Sequence, residues 1–409
     1  MDNLTHSVTG LAMGELVERS LPPETDSLRA RTRRKLLLFT CWAASNFPDL
    51  DLLLTRLSPR PLGYLLHHRG YTHTLVGVLP QAALLLSLTW LLWPGARRLL
   101  RGSPAARAAT VGVALFGLLL HVAMDYLNVY GVHPFHPFDS RWMYGDMVFI
   151  VEPVFWVALG TPLAVMASRP IARLLLFALL AGGPLFFTVF GYLQWGSLLG
   201  LFLLGALLVW LERGGAARNR KALVTGLAAG LGFVAIQAVA VQSARELVTQ
   251  QLTQRDPGTQ VLDVPVLAVA SNPLCWGFVT IESNDALGNY RLTRGALSLA
   301  PSITPVSNCP TALGGPGKAT EGTALIWLWE EHGKLSRLRE LASDNCYFNA
   351  WMRFARAPSL VGGSATDVRF GTPGSPNFST LNYAQRAGAP CPRNVPGWGF
   401  PRADLLGLH

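Results

Sequence analysis

Charge is scarce in this chain: only 14% of its 409 residues are Asp, Glu, Lys or Arg, whereas 50% are hydrophobic, and the mean hydropathy is +0.31. That composition excludes an ordinary soluble protein, and the length exceeds that of one domain. Acidic residues are the scarcer sign, 24 against 34 Lys and Arg. The basic surplus does not read as a nucleic-acid surface, because the arginines fall in short clusters (29–35, 97–107, 169–173, 213–221) beside apolar runs, the positive-inside pattern of a membrane protein. A glycine-rich nucleotide motif is missing, as is an internal repeat. No cleavable signal is visible, since Asp2, Asn3, Thr5 and His6 stand where a basic segment and an apolar core would be; the apolar segments themselves are expected to direct insertion. Cysteine is nearly absent from the apolar half, which holds Cys41 alone. Cys275, Cys309, Cys346 and Cys391 all lie in the polar part, an even number consistent with two disulfides in an oxidising compartment, in any of three pairings.

What is present is a series of apolar runs near the ~20 residues that a bilayer core requires. Full spans are expected at about 72–93, 108–128, 147–167, 172–194, 197–211 and 222–242, after two shorter apolar helices at about 5–19 and 34–47. The expected fold is a polytopic α-helical membrane protein of about six full spans, residues 1–242 forming the helical membrane domain. Beyond residue 242 the apolar runs shorten and Pro, Gly, Ser, Asn and Thr become frequent. Residues 243–409 are therefore expected to form an extracytoplasmic β-rich or α+β domain, with strands at 276–282 and 290–293 and a helix at 327–340. Retaining the basic loops 20–35, 94–107, 168–173 and 212–221 in the cytoplasm puts the opposite helix ends, and this domain, outside.

Those opposite ends carry His6, Asp49, Asp51, His67, His68, His73, His121, Asp125 and Asp146. Ionisable side chains at membrane depth are costly and mark function, and imidazoles with carboxylates make a zinc-like ligand set. His121 and Asp125, four apart on a helix, share a face and can ligate one ion or two adjacent ions; a simple intrahelical hydrogen bond is the alternative. The segment HHRGYTHT gathers His67, His68 and His73 around Gly70, which permits a sharp turn. His68 and His73 are the expected ligands and His67 a supporting residue, against an exposed polar loop. Arg69 suits bidentate recognition of a phosphate or carboxylate, or interfacial anchoring. In NFPDLD, Pro48 helps to end an apolar helix; Asp49 is the expected ligand and Asp51 a base or bridging carboxylate, with capping of the next helix as the rival. His6 opens an apolar helix that Asn3 or Thr5 is expected to cap. Asn128, one turn beyond Asp125, and Asp146 are expected to support the ligands, although Asp146 suits a helix cap equally well.

Taken together, MDNLTHSVTG, NFPDLD, HHRGYTHT and HVAMDYLNVYGVHPFHPF resemble the membrane-bound metal-dependent hydrolase family typified by the LexA-regulated inner-membrane protein YdjM, strongly over the first third of the chain. NPLCWGFV with the following Tyr290 resembles that family's polar tail. The resemblance implies a bacterial inner-membrane hydrolase. The ligand order (an early His, an Asp, a His, then His-x3-Asp) is also similar to the zinc-dependent phospholipase C and S1/P1 nuclease group. That similarity implies His6, Asp49, His68 or His73, His121 and Asp125 as metal ligands, with Asp125 a candidate bridge. The chain departs from it downstream, where no second His-x3-Glu or His-x3-Asp pair follows and His133 and His136 replace one only in part. One or two divalent ions, zinc first, are therefore expected rather than three.

The expected function is hydrolysis of a phosphoester in a lipid or lipid-linked substrate at the extracytoplasmic membrane surface. Metal-activated water would be the nucleophile, Asp49 or Asp51 would accept its proton, and Arg69 would meet the developing charge. The bilayer and a membrane lipid are the expected partners, not nucleic acid; the oligomeric state is unreadable. A metal- or proton-coupled transporter using the same ligands is the rival, although such sites usually lie near the bilayer midplane rather than at one end of the spans. A structural metal with no open position for water is the third reading.

Overall fold

A computed structural model describes residues 1–24, 26–213, 219–310, 323–371 and 374–408. Its contacts divide into two units: one comprises Met1–Asp49, Thr72–Leu127 and Phe149–Ile236, the other Leu50–Tyr71, Asn128–Val148 and Gln237–His409.

The helices begin, in chain order, with α1 (Asn3–Ser20), α2 (Ser27–Ala44) and α3 (Leu62–His67), the last belonging to the second unit. They continue with α4 (Leu75–Leu92), α5 (Pro94–Gly102), α6 (Pro104–Tyr126), α7 (Pro153–Met166), α8 (Pro170–Val189), α9 (Trp195–Arg213) and α10 (Lys221–Arg255). Among the described residues, five helices (α4, α6, α8, α9 and α10) are long and apolar enough to cross a membrane. The expected span at 147–167 is instead the 14-residue α7, short of the ~20 residues a crossing needs. Glu152 caps it by accepting from the Val154 N–H, and Pro153 occupies the first turn, where its missing N–H costs nothing. Residues 147–152 therefore stay outside the helix. Phe155, Trp156 and Leu159 are all buried, as befits a helix that is apolar all round because it sits in a core. The division expected at 242/243 falls inside α10, which runs without interruption for 35 residues.

In the first unit Asp2, not Asn3 or Thr5, caps α1, by accepting from the Thr5 N–H. Helices α1 and α2 are 18 residues each and carry buried charges. Arg33 donates through two nitrogens to Glu18, both at 2.9 Å, while Arg19 and Arg34 hold Glu15 at 2.9 and 2.8 Å. Charges persist in such surroundings only when paired. The helices also approach closely. A Cβ on Gly117 of α6 would lie 2.8 Å from the Cβ of Ala44, and one on Gly10 of α1 would lie 2.7 Å from the Ser45 Oγ. Glycine at these two contacts lets α1, the end of α2 and α6 pack backbone to backbone.

The second unit is built on an antiparallel sheet of β1 (Gln260–Asp263), β2 (Val266–Val269), β3 (Asn272–Asn284), β4 (Asn289–Ser298) and β5 (Leu325–Lys334), in the order β1-β3-β4-β5 with β2 also pairing β3. The expected strands at 276–282 and 290–293 lie within β3 and β4. The helix expected at 327–340 is corrected: residues up to Lys334 form β5, and only from Leu335 does the chain become α11 (Leu335–Asp344). Ile326, Trp327 and Trp329 favour a pleated surface and lie opposite Ala296, Gly295 and Arg294 of β4. The helical period starts with Leu335, Leu338 and Leu341. Val241, Val248 and Leu252 of α10 pack with Trp276 and Phe278, while Leu62 and Leu66 of α3 join Phe348, Trp351 and Trp398 in a larger core. Cys275 is bonded to Cys309 and Cys346 to Cys391; Cys41 is a buried free thiol.

Candidate metal centre

Helix α6 presents His121 and Asp125 one turn apart. Two irregular segments complete the group. Helix α2 stops at Ala44, and the 3-10 stretch Phe47–Leu57 starts with Asp49 in its first turn, after Pro48. His73 ends a short 3-10 turn, and Thr74 then caps α4 by accepting from the Gly77 N–H. Asp49, His73, His121 and Asp125 are all buried, and one ligand atom from each lies within 4.8 Å of the others. The Nε2 of His73 is 3.4 Å from Asp49 and 3.3 Å from Asp125; that of His121 is 3.5 and 3.6 Å from the same carboxylates, and the two Nε2 atoms are 3.0 Å apart. Tetrahedral bonds of 2.0–2.1 Å give ligand-to-ligand edges of about 3.3–3.4 Å. The group fits such a cation, and could hold a metal ion.

The orientation of His121 is set from behind. Its Nδ1 lies 2.7 Å from the Ser45 carbonyl oxygen, an acceptor left over where α2 ends. With the proton on Nδ1, Nε2 carries the lone pair that a ligand needs. His6 lies beside the four, not among them. Its ring stacks on His121 at 3.9 Å between centroids, its Nε2 is 3.3 Å from the Asp125 Oδ1, and its buried Nδ1 has no hydrogen-bond partner among the described residues. The Met1 amino group also contacts Asp125.

The other expected site residues have partners of their own. His68 pairs through Nδ1 with Asp51 at 2.9 Å. Arg69, between His68 and Gly70, has a left-handed φ of 59°, a conformation seldom adopted outside glycine. The Arg69 N–H donates to Asp51 at 2.9 Å, and its guanidinium donates to the Asn128 Oδ1 at 2.8 Å and lies 4.7 Å from the Tyr130 ring centroid. Asn128 thus orients Arg69. His67 lies 3.1 Å from the Ser58 Oγ. Arg356 engages both oxygens of Asp146 at 2.9 Å and Arg245 donates to it at 2.6 Å. His133 packs between Trp142 and Trp398, and His136 faces Ser140, so neither joins the group. The Ser45 carbonyl was not foreseen, because a backbone acceptor leaves no side-chain signature in a sequence.

No solved structure matches the chain. It is 27% identical over 188 residues to the uncharacterized protein YfhP of Bacillus subtilis (strain 168), an alignment covering 44% of this chain and 52% of that protein. The chain thus spans about half the length of this curated relative. A family model described as YdjM inner membrane protein matches residues 1–196, the stretch holding His6, Asp49, His73, His121 and Asp125. Over that stretch, a little under half of the chain, the protein is similar to the YdjM inner membrane protein family.

Proposed function

We propose that the chain is a membrane-embedded hydrolase that uses one or two divalent metal ions, zinc first, to cleave a phosphoester in a lipid or lipid-linked substrate. The observation that carries this reading is the convergence of two imidazoles and two carboxylates, all buried, in a unit rich in helices able to cross a membrane. Nitrogen and oxygen donors at these separations suit zinc. The basic loops favour an extracytoplasmic site in the bacterial inner membrane.

His73 and His121 would hold the ion through Nε2, and Asp49 and Asp125 through carboxylate oxygens. Bound there, a zinc-like ion supplies a water of pKa near 7 and polarises the electrophile. Ser45 keeps the His121 tautomer fixed, and His6 steadies Asp125 from the opposite oxygen. A carboxylate oxygen not engaged as ligand can accept the proton. Asp51 is assigned as a further proton acceptor, oriented by His68, and Arg69 as a bidentate phosphate donor, oriented by Asn128. Exclusion of bulk water by the buried surroundings strengthens each of these interactions.

The test is elemental analysis of the purified protein followed by a hydrolysis screen over phospholipids and lipid-linked phosphates. Wild-type turnover that His121→Ala abolishes together with bound metal supports the reading; turnover undiminished in His121→Ala sinks it. One observation favours a second reading: four protein donors suffice to close a tetrahedral shell, as in structural zinc sites. X-ray absorption separates the two, because a hydrolase requires a solvent oxygen among the ligands.

A further inference from the structure

Residues 50–57 of the 3-10 stretch belong to the second unit, yet they present apolar side chains outward. Leu50, Leu53 and Leu57 are 53%, 71% and 49% exposed. Clustered exposed leucines cost free energy in water and mark a surface that meets something apolar. Within the same unit opens a groove of about 960 Å³ lined by Arg56, Arg60 and Arg386, with Thr55, Thr380 and Asn382 as neutral hydrogen-bonding groups. Among the described residues no carboxylate lines it. Among the described residues none of these three guanidinium groups makes an ion pair; Arg386 lies over the Tyr347 ring at 5.1 Å.

Three uncompensated guanidinium groups around one groove call for an anion, and arginine matches phosphate oxygens in particular. The adjoining leucines narrow the source. A free anion has no use for them, whereas a lipid offers its phosphate at the depth where its acyl chains begin, the pairing that interfacial segments of mixed apolar and basic character exploit. We propose that this groove binds the phosphate headgroup of an anionic phospholipid while Leu50, Leu53 and Leu57 enter the acyl layer beside it. The proposal concerns binding alone and does not rest on the hydrolase reading.

Calorimetric titration of the full-length protein, purified in a zwitterionic detergent, with short-chain phosphatidylglycerol, short-chain phosphatidylcholine and inorganic phosphate tests it. Phosphatidylglycerol is expected to bind on the order of tenfold or more tighter than either competitor, and to lose that advantage in the R56Q/R60Q/R386Q variant and with rising salt. Leu53→Ser with Leu57→Ser is expected to weaken phosphatidylglycerol while leaving inorganic phosphate unchanged. Equal affinity for the two lipids, a phosphate affinity matching that of phosphatidylglycerol, or an unaltered triple variant overturns the proposal. Should the triple variant fail to fold, Arg60→Gln alone and the wild-type salt titration decide, and salt-independent binding overturns it.

Discussion

The Nδ1 of His121 sits 2.7 Å from the carbonyl oxygen of Ser45, and its Nε2 faces the carboxylates of Asp49 and Asp125. One end of the imidazole is thus committed to the backbone where α2 stops, and the other to the candidate metal position. A ligand held in this way loses little further freedom on binding, which is how outer hydrogen bonds raise metal affinity.

Removal of a donor is therefore expected to act on metal content before stability. His73→Ala and Asp125→Asn should each purify with little bound metal, whereas His6→Ala should keep its metal with affinity reduced about 10- to 100-fold, the usual effect of losing a supporting group. Elemental analysis and competition with a chelating dye measure both. A metal content unchanged in Asp125→Asn would show that the ion is held elsewhere.

The pairing of Arg33 with Glu18 predicts a stability effect independent of metal. Arg33→Ala leaves a buried carboxylate without its bidentate partner, a change that typically costs about 3–5 kcal/mol. Replacing both residues by apolar ones of similar size, Arg33→Met with Glu18→Leu, should recover most of the loss. Thermal unfolding in detergent compares the three proteins.

Asp263 predicts acid sensitivity in the second unit. Burial alone would raise its carboxyl, but Arg356 at 2.7 Å and Arg402 at 3.4 Å prevail and hold it at about 2. An unfolded aspartate titrates at about 3.9. A carboxyl depressed in the folded state contributes stability that is present above the unfolded value and disappears as the pH falls through the folded one, here from about 4 to about 2. Asp263→Asn should flatten the stability loss across that window by up to about 2.5 kcal/mol. Denaturant midpoints above and within the window provide the check.

The two disulfides close loops with sequence separations of 34 and 45, and cross-links over such lengths stabilise by about 3–4 kcal/mol through the unfolded chain. Reduction, or Cys346→Ser with Cys391→Ser, should lower the unfolding temperature of the second unit while bound metal stays constant. Hydrogen exchange paired with metal analysis distinguishes this from a loss that spreads to both units.

Much of this arrangement was legible in the sequence. His121 and Asp125 were readable because helical spacing by itself puts them on one face, and Asp49 because proline ends a helix just before it. The left-handed φ of Arg69 was not, since a non-glycine residue does not advertise that backbone state. The true length of α7 was hidden by Val148, Phe149, Ile150 and Val151, which extend the apolar run past Glu152 although the helix starts only at Pro153. The strand β5 was hidden by Glu330, Glu331 and Lys334, whose charges resemble a solvated helix until pairing with β4 supplies the other half of the pattern.

Gly10 and Gly117 bring no functional group to the candidate centre, yet α1, the end of α2 and α6 meet through them. A side chain at either position would push apart the backbones from which His6, Ser45 and His121 project. A mutational map of this protein should therefore show lesions as severe at two chemically silent positions as at the ligands themselves. The tolerance of the centre is written in the spacing of its scaffold as much as in its donors.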